Sequence, residues 1–99
     1  MISTAALDEM HTDLAKKRGA LSKINTRVSE LTELIDQLDE ALNRAPPGEV
    51  RAAASEELCN ARRQRVRAEG GSDKLRSEIA HLEGTIRRWE LLRSWSHGG

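Results

Sequence analysis

The first forty residues of the chain repeat every seven. With position a placed at Leu7, Leu14, Leu21, Val28, Ile35 and Leu42, position d falls at Met10, Lys17, Ile24, Leu31 and Leu38, and ten of these eleven sites are apolar. Spacings that alternate between three and four residues line apolar side chains along one stripe of an α-helix. Sustained over five heptads, they are the coiled-coil signature, and such a stripe must be buried against another helix. The pattern predicts a helix over about residues 3–45. Ser3 or Thr4 can cap its start, and Asp8 and Glu9 lie early, where the helix dipole favours anions. Its end is set by Pro46, which disfavours helical geometry at the residue before it.

Pro46-Pro47-Gly48 is the one clear turn, and the segments on either side of it are nearly equal in length. A chain that reverses there gives each arm a partner along its whole length. The second arm, about residues 49–96, continues the pattern with Leu75, Ile79, Leu82, Ile86 and Trp89. Extended backward, the frame puts Ala68, Ala61 and Ala54 at d, and Ser72, Arg65 and Leu58 at a. The half next to the turn therefore has a small, alanine-lined seam, with Leu31, Ile35, Leu38 and Leu42 of the first arm expected to fill the space. Gly70-Gly71-Ser72-Asp73 is the weak point, because each glycine costs about 1 kcal/mol in a helix interior relative to Ala. The frame passes through the pair unshifted, which favours a continuous or slightly kinked arm over a break.

Composition excludes the main rivals. Phe and Tyr are absent and Trp89 and Trp95 are the only aromatics, so sheets built on β-branched and aromatic residues at period two have no raw material. No apolar run approaches the ~20 residues of a membrane span, and no N-terminal segment reads as a signal peptide, so a cytoplasmic chain without membrane contact is expected. Cys59 is the only cysteine and has no partner for an internal disulfide. The expected fold is all-α: one domain over residues 1–99 forming an antiparallel two-helix hairpin, kinked or broken at Gly70-Gly71 if the glycines prevail. Thin cores in small chains usually need oligomerisation or staples, so two hairpins are expected to assemble into a dimeric four-helix bundle.

Enzyme motifs are missing: there is no G-x-S-x-G, no phosphate-binding loop and no dinucleotide fingerprint. No catalytic residue, cofactor or metal is expected. One spacing invites a metal reading, since Asp8-x-x-His11 and Glu78-x-x-His81 would be level in a hairpin that turns near residue 47. Asp8 and His11 fall at b and e, however, and Glu78 and His81 at g and c, all outside the seam.

Three groups of residues are candidates for contact with partners. The first is Arg62, Arg63, Arg65 and Arg67, in a second half that carries +3 where residues 1–49 carry −3. A basic helix can contact phosphates. These four arginines spread round the helix with no aromatic interleaved, so the favoured reading pairs them with Glu30 and Glu33 of the first arm, with Asp36 and Asp39 further on. The second group is the polar seam set, Lys17, Arg65, Ser72 and Arg93, read either as register control or as contacts to another chain. The third is apolar. Leu91, Leu92 and Trp95 follow Trp89 at i, i+3 and i, i+4 spacings but lie off the seam. They form either a plug against Ile2, Ala5, Ala6, Leu7 and Met10, or an interaction surface that joins Leu34 and Val66 as a protein interface.

In size and hairpin architecture the chain is similar to the small secreted proteins with a Trp-x-Gly turn and to type III needle subunits. Its own turn has no Trp, and the second likeness is one of architecture alone, so neither identifies a family. Twelve arginines to four lysines suggest a GC-rich bacterial or phage genome. The expected function is non-enzymatic: a homodimeric adaptor, assembly factor or inhibitor that binds a larger protein complex. The alternative is a small dimeric nucleic-acid-binding regulator using the arginine-rich second arm.

Overall fold

The computed structural model describes residues 4–98. Two helices, α1 (Thr4–Arg44) and α2 (Glu49–Gly98), form an antiparallel hairpin. Ser3 and Ile2, named above as a cap and as part of the plug, lie outside the described residues. No acidic residue occupies the first turn of α1, because the helix starts at Thr4 and Asp8 and Glu9 fall beyond that turn. The dipole effect fades within the first turn, so these two carboxylates gain little from it. Glu49 does sit in the first turn of α2, and Arg44 in the last turn of α1, both with the favourable sign.

The reversal is made by residues without helical freedom. The Ala45 N–H still donates to the Ala41 carbonyl at 2.8 Å, and the chain leaves the helix at the prolines, which have no N–H to continue the ladder. Gly48 then takes φ +126°, a backbone region that L side chains rarely adopt, and its carbonyl accepts the first bond of α2 from the Ala52 N–H at 3.0 Å.

The seam follows the seven-residue frame closely. Every a and d position of α1 from Leu7 to Leu42 is buried or half-buried, as is every one of α2 from Ala54 to Arg93. The chain divides into two units, each with its own core. In the unit of residues 1–22 and 73–99, Leu14, Ile79 and Ile86 are buried, with Met10, Leu21 and Leu82 packed against them. In the unit of residues 23–72, Ile35, Leu58 and Ala61 are buried beneath Leu38 and Leu42. Here the large α1 side chains fill the room that the α2 alanine leaves, and Leu31 is the most enclosed residue at 1% exposure.

α2 runs without interruption through Gly70 and Gly71. A Cβ added at Gly70 would meet open space, and one at Gly71 would touch Ile24 Cδ1 at an ordinary 3.5 Å, so no close approach demands either glycine. Ser72 continues the seam at 5% exposure, and its hydroxyl donates to Asn25 Oδ1 at 3.2 Å. The stripe on α1 keeps the helical phase across the pair, which outweighs its propensity cost. No helix among the described residues is long and apolar enough to cross a membrane.

Candidate functional site

The last turns of α2 carry the largest exposed apolar group. Trp89, at position d, is half-buried in the seam. Beyond it Leu92, Leu91 and Trp95 lie off the seam and are 52%, 70% and 77% exposed. The proposed counterparts at the start of α1 are already used elsewhere or only partly covered: Leu7 is buried at 3%, Met10 packs against the Leu14 cluster, and Ala5 is exposed. Among the described residues nothing closes over Trp95. Leu34 at 42% and Val66 at 68% are also exposed, as is Val50 at 64%. Val50 escaped the sequence reading because it lies just past the turn, before the clean part of the second frame begins.

The four arginines have divergent fates. Arg62 reaches across to Asp39 at 3.4 Å. Arg65, at position a, is half-buried and pairs with Glu69 of its own helix at 3.6 Å. Arg63 and Arg67 are exposed and make no ion pair among the described residues; with Arg62 and Val66 they line a shallow, open depression on the back of α2. Among the described residues none of these arginines pairs with Glu30 or Glu33. Glu30 is taken by Arg27 of its own helix at 3.5 Å, while Arg27 also donates to Gln64 of α2 at 3.0 Å.

Two of the seam's polar residues, Lys17 and Ser72, have partners on the facing helix. Lys17, at d, extends its stem along the seam and donates from Nζ to Glu78 Oε2 at 3.1 Å. Ser72 and Asn25 pair as described, and Asn25 went unrecognised because it sits at e, beside the seam rather than in it. Both are cross-helix contacts between α1 and α2, as register control requires. The metal reading fails on geometry. His11 Nε2 meets Glu90 Oε1 at 3.0 Å, and His81 lies in a groove with Asp13, Lys17 and Glu78, so the two histidines are not brought together. No group of His, Cys, Asp or Glu that could hold a metal ion occurs among the described residues. Comparison of the chain with family models, with curated proteins and with solved structures finds no match.

Proposed function

We propose that this chain is a non-enzymatic protein-interaction module: a small cytoplasmic adaptor, assembly factor or inhibitor that docks on a larger protein complex through the surface of its helices. The observation that carries this reading is the exposure of Leu91, Leu92 and Trp95 at one end of α2. Fully burying a side chain of this size in a partner is worth about 1.5–3 kcal/mol, and Trp is a favoured anchor at interfaces. Leaving all three in water invites aggregation unless something covers them. The test is capture of partners from the native host by the tagged chain, run beside a Leu91→Ser, Trp95→Ala double variant. A partner retained by the parent chain and lost by the variant supports the reading. A partner set identical for both would place the docking surface elsewhere.

The nucleic-acid alternative rests on Arg63 and Arg67, which lack ion-pair partners among the described residues. Arg62 and Arg65 are engaged with carboxylates, so the basic surface is smaller than the sequence suggests. Binding to duplex or structured RNA that weakens steeply with salt, and is lost in Arg63→Gln, Arg67→Gln, would favour it.

A further inference from the structure

Toward the end of α2 the carboxylates are used up within the hairpin and the cations beside the apolar group are not. Over residues 74–98 the helix has three carboxylates, Glu78, Glu83 and Glu90. Each is engaged by a side chain of α1 in the same unit: Glu78 by Lys17 at 3.1 Å, Glu83 by Arg18 at 3.6 Å and Glu90 by His11 at 3.0 Å. Arg87 and Arg88 are exposed, and neither pairs with a carboxylate among the described residues. Arg88 is held along its own helix. One guanidinium nitrogen donates to Thr85 Oγ1 at 3.3 Å, and the other lies 3.9 Å from where a Cβ on Gly84 would stand. A neutral hydroxyl leaves its charge uncompensated. At about 100° per residue, Arg88, Leu91, Leu92 and Trp95 fall within about 100° of one another round the helix, with Arg87 bordering them. The exposed apolar side chains and the unpaired cations therefore share one face of one helix.

We infer that the segment docking here is an acidic, apolar stretch of protein: large apolar side chains against Leu91, Leu92 and Trp95, and carboxylates against Arg87 and Arg88. This deepens the protein-contact reading above and rests on it. Covering the three apolar side chains takes water from arginines one helical turn away. A guanidinium stripped of water without a counter-charge opposes binding, so a neutral or basic partner is selected against. Carboxylates supply the counter-charge and match the planar guanidinium bidentately. The partner must bring them, because the nearby carboxylates of α2 are already engaged with α1. Nucleic acid would satisfy the arginines, but it makes no use of two exposed leucines, and Trp95 alone on this face offers a ring for stacking. An anionic bilayer would accept both kinds of side chain, but two cations fall short of the about four to eight that mark a lipid-binding basic cluster.

The experiment selects binders to the immobilised full chain from a display library of random short peptides, then measures the enriched peptides by fluorescence anisotropy. Dichroism checks that each variant keeps its helix. Enriched peptides are expected to combine Asp or Glu with Leu, Phe or Trp, and to bind less tightly as salt rises. Arg87→Gln with Arg88→Gln should weaken them about tenfold or more, and Leu91→Ser with Trp95→Ala should abolish binding. Arg88→Gln alone serves where the double arginine variant loses helix, and should weaken them in the same direction. Peptides that carry no acidic excess, or that bind the arginine variant as well as the parent, overturn the inference. If those same peptides are lost on Leu91→Ser with Trp95→Ala, the apolar docking surface itself still stands. A library that yields no binder, or only binders indifferent to both double variants, overturns the inference and counts against that surface as well. Sedimentation of the parent chain with vesicles of phosphatidylcholine and phosphatidylglycerol in equal parts, lost on Leu91→Ser with Trp95→Ala, would assign the face to an anionic membrane and overturn the inference in that direction.

Discussion

Leu31 and Glu33 sit two residues apart on the same helix and feel different solvents. Leu31 is 1% exposed and Glu33 is exposed. Leu31→Ala removes buried methyl groups and leaves a cavity, so denaturant melts should show a loss of about 2–5 kcal/mol. Glu33→Ala should cost under about 0.5 kcal/mol. Equal losses would mean that the seam does not carry the fold. This contrast is legible in the sequence because burial follows the a and d positions, and those are fixed by spacing alone. Which polar side chains meet is much less legible. Glu30 was an expected partner of the arginine cluster, but Arg27, three residues away on the same helix, reaches it instead. A long flexible side chain has several carboxylates within reach, and the energies that choose among exposed pairs are about 0–1 kcal/mol. Heptad spacing cannot resolve differences that small. Ser72 marks the middle case: its place in the seam follows from the frame, but its partner Asn25 follows only from the three-dimensional pairing.

At the scale of the element, the two glycine sites behave oppositely. Gly48 holds φ +126° at the start of α2, so Gly48→Ala should destabilise the hairpin by about 1–3 kcal/mol through backbone strain, read as a lower melting midpoint in urea. Gly70 and Gly71 are helical, and neither is needed for close packing. Gly70→Ala should therefore stabilise the chain by about 1 kcal/mol, and Gly71→Ala by a similar amount, since its methyl would rest on Ile24 at van der Waals distance. A loss on Gly70→Ala would point to a functional bend at that position. The helix boundaries were readable for related reasons. Pro46 and Pro47 stop one ladder and Gly48 permits the next to begin, and both effects act through local backbone chemistry that needs no tertiary information. The first helical residue was harder to read, because Ser3 and Thr4 are equally good caps, and the expected dipole benefit of Asp8 and Glu9 depended on that choice.

For the whole molecule, the buried set is small: eight hydrophobic residues and Ser72 among those described. Two helices enclose one seam and no second layer, and chains of this size seldom gain more than a few kcal/mol from such a core. If a second copy supplies a further layer, association is coupled to folding, and the folded state is favoured by mass action. The sign is definite: unfolding turns one dimer into two chains, so concentration opposes it. Raising the concentration a hundredfold, from about 2 to 200 µM, should stabilise the dimer by about 2.7 kcal/mol. For a folding unit of roughly two hundred residues that corresponds to a rise in Tm of about 5–10 °C in dichroism melts. A chain whose Tm does not move with concentration would instead derive its stability from the seam alone.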